Sequence, residues 1–272
     1  MGGVRLDRDG ALAVITIDRP EKLNALTLAM YEQLGDAFAE VRDDDRIGAA
    51  ILTGAGDRAF CVGADLGESI PALTEGRFDI SEWDAAHQKH STLDKPVVAA
   101  VNGLCLGGGF EILLSTDIRL AAEDAQFALP ETGVGVVPAG GTLVRLVRQI
   151  PYAWAMDLML RGTKIDAATA LRYGILNRVV PAAELQSAAL GVAEDLLSRS
   201  RTAVATIKNA VRTLADLPEG DAFRLEATLG QAAFTSADAR EGLAAFAERR
   251  RAVFPSHTPS DDQGADSAAS AL

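Results

Sequence analysis

The hydrophobic pattern along the chain changes character near its middle. Ala11–Asp18, reading ALAVITID, has strand character. Thr27 is placed to cap a helix whose apolar positions, Leu28, Tyr31, Leu34, Phe38 and Val41, recur at helical spacing. Ala49–Thr53 reads as a short buried strand followed by the turn residues Gly54-Ala55-Gly56-Asp57. Gly67–Leu93 is polar and irregular, and reads as a long loop or a loosely packed helix of the kind that carries binding functions. Pro96 opens a buried strand, Val97–Val101, and two more short strands follow at Asp117–Ala122 and Gln126–Leu129.

From Gly140 onward helices dominate. Leu143, Leu146, Val147 and Ile150 share one helical face, and Pro151 suits the start of the next helix. Asp166 caps a short helix ending at Gly174, and Ile175–Val180 is one more strand before Pro181. After residue 184 the pattern is helical to about Val253, and Pro255–Leu272 has the composition of a disordered tail. The order predicts a mixed α/β chain without an internal repeat.

Composition narrows the classes of function. A chain of 272 residues with 48% apolar and 24% charged residues can bury a large core. Its formal net charge of −12 disfavours nucleic acid as a partner, since a phosphate backbone needs a concentrated basic surface. Two cysteines without CxxC spacing give no disulfide framework and no cysteine-based zinc site. The N-terminal residues lack the apolar core of a signal peptide, and no apolar run is long enough to span a membrane, so a cytoplasmic location is expected.

The chemistry-bearing residues lie in two stretches. Val97–Glu111 runs from a buried strand through Asn102-Gly103 into Gly107-Gly108-Gly109. Glycines there allow close approach to the backbone, and the first N–H groups of a helix attract negative charge. The run has neither GxGxxG nor a P-loop lysine. Three residues after Gly108, on the same helical face, comes Glu111. Glu131 follows Pro130 at a strand end, and two converging carboxylates suit general acid–base work. In the other stretch, Ala59–Leu66, Gly63-Ala64 can expose a second backbone N–H. Taken singly these are ordinary features: the glycine run reads equally as a packing point, and two carboxylates among 38 acidic residues decide nothing.

Together, and in chain order, the segments RPEKLNAL (19–26), AFCVGADL (59–66), KPVVAAVNGLCLGGGFEILLSTDIRLAAEDAQFALPETGVGVVPAGG (95–141) and ALRYGILNRVV (170–180) resemble the enoyl-CoA hydratase/isomerase (crotonase) superfamily. The resemblance implies a crotonase-like spiral core of ββα units over residues 1–195. It also implies a C-terminal helical oligomerisation region over 196–254, ahead of the tail at 255–272. It places an oxyanion hole at the backbone N–H groups of Ala64 and Gly108, and the catalytic carboxylates at Glu111 and Glu131. CoA would be met by Lys22, by the turn Ala64, Asp65, Leu66 and Gly67, and by Arg251 and Phe254 reaching a neighbouring subunit. Arg249–Arg251 read equally well as a solvated basic helix end.

The implied activity is hydration of a 2-enoyl-CoA in fatty-acid metabolism, with no metal or redox cofactor, by a homotrimer or dimer of trimers. GGGFE, FALPE and ALRYGILNRVV are also similar to the carnitinyl-CoA dehydratase branch, whose quaternary ammonium substrate calls for acidic or aromatic pocket groups. Glu68, Glu75, Asp79, Glu82, Trp83 and Asp84 are candidates for that role. An enoyl-CoA isomerase, or a non-catalytic acyl-CoA-binding protein on the same fold, are the remaining alternatives. Cys105 reads as a buried structural thiol. His87 and His90 belong to the variable loop, and Trp83 and Trp154 either line an acyl pocket or simply pack.

Overall fold

In the computed structural model, which describes residues 2–258, two sheets alternate along the chain. The first hairpin pairs β1 (Gly3–Asp9) with β2 (Leu12–Asp18), antiparallel, and β1 is a strand the apolar pattern does not announce. Its positions are mostly exposed, so no hydrophobic face marks it. Helix α1 (Leu28–Asp43) starts where Thr27 predicts: the Thr27 hydroxyl accepts from Met30 N at 3.2 Å, a cap worth about 1 kcal/mol. Met30, Tyr31, Leu34, Phe38 and Val41 are buried along its inner face.

Next come β3 (Ala49–Gly54) and β4 (Ala59–Cys61), then the short helix α2 (Ser69–Thr74). The same strand–strand–helix order returns as β5 (Val97–Val101), β6 (Leu104–Leu106) and α3 (Gly108–Leu113), and again as β7 (Ile118–Ala122), β8 (Gln126–Ala128) and α4 (Thr142–Gln149). In each round the first strand joins a six-stranded sheet and the second a four-stranded one. The chain therefore spirals, with ββα as its unit.

The segment from Tyr152 supplies α5 (Tyr152–Arg161), β9 (Ile165–Asp166), α6 (Ala167–Tyr173) and β10 (Arg178–Val180). Asp166 and Gly174 cap α6 as their types predict, whereas the expected strand 175–180 shortens to its last three residues. The large sheet runs β1-β2-β3-β5-β7-β10 and the small one β4-β6-β8-β9. All pairings are parallel except β1/β2 and β8/β9.

Burial on both faces of the large sheet explains its continuous apolar strands. Ala50, Leu52, Val97, Ala99 and Val101 face the main core with α1 and the small sheet. Their alternates Ala49, Ile51, Val98 and Ala100 pack with Leu185, Ala189 and Ala193 of α7 (Leu185–Leu197). Beyond it, α8 (Arg201–Leu214) and α9 (Glu219–Phe234) contain no buried residue, and in α10 (Ala237–Glu248) only Asp238 and Ala245 are buried.

The expected tail begins differently: Pro255–His257 forms a 3-10 turn, and Asp238 accepts from the Ser256 backbone at 3.0 Å and from its hydroxyl at 2.5 Å. The rest of that tail, from 259, lies outside the described residues. Among the described residues no helix is long and apolar enough to cross a membrane.

Candidate active site

The site forms where the second strands of successive rounds end. β4 runs into Val62-Gly63-Ala64, β6 into the glycine run, and β8 into Pro130-Glu131. Leu26 and Ala64 form a parallel bridge in which Leu26 N donates to Gly63 O and Asp65 N donates to Leu26 O, both at 2.8 Å. The bridge occupies the groups on either side of Ala64 and leaves Ala64 N–H turned the other way. Gly107 N donates to Ala128 O at 3.0 Å, and Gly108 opens α3, so Gly108 N–H has no turn of helix before it to bond.

Close backbone contact brings the two free N–H groups together. A Cβ at Gly63 would stand 2.7 Å from Gly108 N, and one at Gly109 would stand 2.1 Å from Cys61 O. Only glycine permits this approach. Gly63 also has φ +88°, and Gly107, at φ 52° and ψ −126°, turns the chain into α3. Two N–H donors side by side, without partners among the described residues, are the arrangement that stabilises an oxyanion.

Both carboxylates converge on this point. Glu111, buried one turn into α3, accepts from Gly140 N at 2.6 Å and from Thr142 N at 3.4 Å, both on Oε1. Burial raises its pKa, and the hydrogen bonds oppose that rise. Glu131 lies in the 3-10 turn Pro130–Val134, its Oε1 3.1 Å from where a Cβ on Gly107 would be. Its Oε2 is buried without a partner among the described residues. Burial, with Glu111 as a second charge, pushes the Glu131 pKa up to about 7. One carboxylate is held by backbone donors and the other is poised to keep a proton.

Sequence reasoning placed these four residues together. Its further ligand set is spread more widely. Asp65 pairs with Arg19 at 2.5 Å, and its Oδ1 accepts from Gly67 N at 2.7 Å, so it holds the turn in shape rather than reaching outward. Leu66 is 79% exposed beside exposed Gly67, and Lys22 is exposed at the end of a 3-10 turn, as a docking surface requires. Arg251 and Phe254 belong to the C-terminal helical unit, where the Phe254 ring lies against Gly242 and His257. Of the basic cluster, Arg250 is spent on Glu241 and Glu248.

The 67–93 segment is more ordered than its composition indicates. Trp83 and His87 are buried, and Trp83 stacks on Tyr31 at 4.3 Å. The acidic residues weighed for a cationic substrate are occupied: Asp79 and Glu82 form a capping box, Glu75 pairs with Arg77, Asp84 with Lys89, and Glu68 accepts from Leu28 N. Exposed His90 is 3.9 Å from Asp84. Trp154 stacks on Tyr173 at 4.3 Å and remains exposed. Cys61 and Cys105 are free and buried, and burial pushes the Cys61 thiol up to about 12. Among the described residues no group of three or more His, Cys, Asp or Glu is placed to hold a metal.

Two contributors were missed. Tyr31, read as a core position of α1, has its hydroxyl 2.8 Å from the Cβ position of Gly108. Gly140 N–H donates the shorter of the two backbone hydrogen bonds to Glu111. The PAGG tetrad, residues 138–141, was the only signal available for it.

A family model described as enoyl-CoA hydratase/isomerase matches residues 7–257. Carnitinyl-CoA dehydratase of Escherichia coli K12 is 38% identical over 259 residues, covering 92% of this chain and 97% of that one. Enoyl-CoA hydratase EchA19 of Mycobacterium tuberculosis is 39% identical over 254 residues, covering 92% and 95%. Among solved structures, an enoyl-CoA hydratase from Bacillus anthracis superposes with a TM-score of 0.88 at 32% identity, covering 93% of this chain and 99% of that one. One from Mycobacterium tuberculosis superposes at 0.85 and 34% identity, covering 94% and 99%.

Proposed function

Since this chain belongs to the enoyl-CoA hydratase/isomerase family, we propose that it is a hydratase adding water reversibly, in syn fashion, across the double bond of a 2-enoyl-CoA. The observation that carries the reading is the pair of inward carboxylates, Glu111 and Glu131, over the free N–H groups of Ala64 and Gly108.

In this mechanism the thioester oxygen lies between Ala64 N–H and Gly108 N–H, which stabilise the enolate-like charge as it forms. Removing one such donor typically costs on the order of 100–1,000-fold in rate. Glu111, fixed by Gly140 N–H, orients the water and takes one of its protons as the oxygen bonds to Cβ. Glu131, whose pKa of about 7 lets it hold a proton, delivers that proton to Cα. The pair begins and ends with one proton between its members. The substrate's CoA would lie along Lys22 and the Ala64–Gly67 turn, and the chemistry calls for no metal or redox cofactor. The same proposal includes a cytoplasmic homotrimer or dimer of trimers in which Arg251 and Phe254 approach a neighbour's CoA.

The test is direct. Crotonyl-CoA incubated with the purified protein and chelator should lose its enoyl-thioester absorbance and yield 3-hydroxybutanoyl-CoA. A protein that leaves a panel of enoyl-CoAs unchanged would sink the reading. Similarity to carnitinyl-CoA dehydratase of E. coli favours a second one, dehydration of a specialised 3-hydroxyacyl-CoA by the same carboxylates. Relative kcat/KM across the panel separates the two.

A further inference from the structure

Among the described residues, the buried polar atoms without a partner around the carboxylates include Tyr31 Oη and His87 Nε2. Tyr31 is 2% exposed and His87 1%. A buried donor or acceptor left unpaired costs enough that such atoms are rare, and those found in a site await a ligand group or water.

Their positions are tied to the reacting centre. Tyr31 Oη lies 2.8 Å from the β-position of Gly108, and the same position is 3.7 Å from Ala64 N. On the other side of Glu111, the β-position of Gly140 is 2.5 Å from His87 Nε2 and 2.7 Å from Glu111 Oε2. The two rings adjoin, with centroids 5.6 Å apart. Tyr31 Oη thus borders the Ala64–Gly108 N–H pair, and His87 Nε2 borders Glu111, so both atoms adjoin the space open to an acyl chain whose thioester is held there.

Their hydrogen-bonding characters differ. His87 Nδ1 is 3.0 Å from Trp83 O, and a carbonyl can only accept, so Nδ1 carries the proton and Nε2 presents a lone pair. Burial pushes the His87 pKa down to about 4, so the ring is neutral at physiological pH. Tyr31 Oη retains its proton, its pKa raised by burial and then by Cys61, Glu111 and Glu131, and is free to donate. A donor and an acceptor thus stand together.

The pair is also held rigidly. Trp83 stacks on the Tyr31 ring, and Arg145 of α4 donates to His87 O at 2.6 Å and to Gln88 O at 2.7 Å. That fixes the segment against the same helix whose first residue, Thr142, bonds Glu111.

We propose that Tyr31 and His87 form a polar subsite for the acyl chain, selecting an enoyl-CoA that carries a hydroxyl one or two carbons beyond the reacting double bond over one with a plain alkyl chain. A hydroxyl accepts from Tyr31 and donates to His87 at once. An alkyl chain leaves both unpaired, and a site built to bond a hydroxyl discriminates against the analogue lacking it. A quaternary ammonium offers neither a proton nor a lone pair, and one face of the Tyr31 ring is already covered by Trp83. Tyr31 and His87 act here as specificity residues.

This inference rests on the acyl-CoA reading of the site, and binding of unreactive saturated ligands tests the two separately. Calorimetry would compare butanoyl-CoA, 4-hydroxybutanoyl-CoA, 5-hydroxypentanoyl-CoA and 4-trimethylammoniobutanoyl-CoA on the full-length protein. The better hydroxylated ligand should bind about 10–100-fold more tightly than butanoyl-CoA, the range expected of one or two neutral hydrogen bonds. Tyr31→Phe and His87→Leu should each shrink that ratio to within about threefold. A purely structural role would weaken both ligands together and leave the ratio intact, which overturns the proposal. Equal affinities in the unsubstituted protein, or tightest binding by the trimethylammonium ligand, overturn it as well while leaving the acyl-CoA reading standing. Failure of every acyl-CoA to bind would instead remove the proposed function and this inference with it.

Discussion

The backbone N–H of Gly140 donates to Glu111 Oε1 at 2.6 Å, and a Cβ on Gly140 would stand 2.7 Å from the same carboxylate's Oε2. One residue thus both anchors the carboxylate and, by having no side chain, leaves its second oxygen accessible. Gly140→Ala should push Glu111 and His87 aside. A displacement near 1 Å at a reacting group typically costs about 100-fold, so kcat for hydration should fall by roughly that factor. Far-ultraviolet circular dichroism should be unchanged. Unaltered kcat in a folded variant would show that Glu111 does not need this anchor.

Replacing either carboxylate separates chemistry from binding. Glu111→Gln and Glu131→Gln keep the side-chain shape but cannot exchange a proton, and each should lower kcat by about 100–10,000-fold. Affinity for a saturated acyl-CoA should stay within a few-fold, because the thioester contacts are backbone N–H groups. Near-normal turnover in Glu131→Gln would refute the paired-carboxylate mechanism.

The raised pKa of Glu131 sets a pH dependence whose form can be stated. Hydration consumes and releases no net proton, so both directions require the same singly protonated Glu111–Glu131 pair. The profile of kcat/KM should therefore be bell-shaped, with an alkaline limb near pH 7 in hydration and in dehydration alike, Glu131 titrating at about 7. Stability follows the same group. Its folded pKa lies above the ordinary value of 4.5, so the folded state holds the proton more tightly. That contribution is complete below the unfolded pKa and lost as pH rises through about 7. Glu131→Gln should accordingly gain stability relative to the unsubstituted protein at pH 8 compared with pH 5, read from denaturant midpoints. A flat rate profile from pH 6 to 9 would contradict the assignment.

Asn24 occupies a left-handed backbone position at φ 57°, which Asn tolerates better than most residues. Its side chain accepts from Arg19 N at 2.9 Å and donates to Ala55 O at 3.0 Å and Ala59 O at 2.7 Å. It joins the loop before α1 to both ends of the turn between β3 and β4. Asn24→Ala strands these buried groups and strains the turn, for a loss of roughly 2–4 kcal/mol by chemical denaturation. A loss below about 0.5 kcal/mol, the usual scale of a surface change, would show the contacts to be incidental.

The sequence made some of this legible and concealed the rest, for identifiable reasons. Thr27, Asp166 and Gly174 cap their helices as their residue types predict, because capping is a local property. Glu111 and Gly108 share a face because three residues separate them on a helix. Of the small sheet only β8 was legible, as the strand expected at Gln126–Leu129; β4 and β6 are three-residue strands whose partners lie about twenty or more positions away, too short to show a period. Trp83, Ala86 and His87 are buried in a segment in which polar residues and turn formers are interspersed, so its average composition hides its role. Periodicity explains the Tyr31 ring and says nothing about its hydroxyl. Arg119 is buried with its guanidinium bonding the carbonyls of Leu114, Thr116 and Ile175, a structural use invisible without the fold.

The C-terminal helices present apolar surface that a lone chain would leave wet. Phe223 is 60% exposed, Phe234 78%, Leu243 66% and Phe246 85%, all on α9 and α10, neither of which has a deep core of its own. Patches of this kind mark contact surfaces, and copies of one chain close most simply with rotational symmetry. On the proposed homotrimer or dimer of trimers, light scattering should give three or six copies of the 28.5 kDa chain. Phe234→Asp with Phe246→Asp should shift the population toward single chains. If Arg251 and Phe254 serve a neighbouring subunit's CoA, the dissociated form should show a raised KM while Glu111 and Glu131 remain intact within each chain. A monomer at micromolar concentration with normal KM would refute both the assembly and the assignment of those two residues.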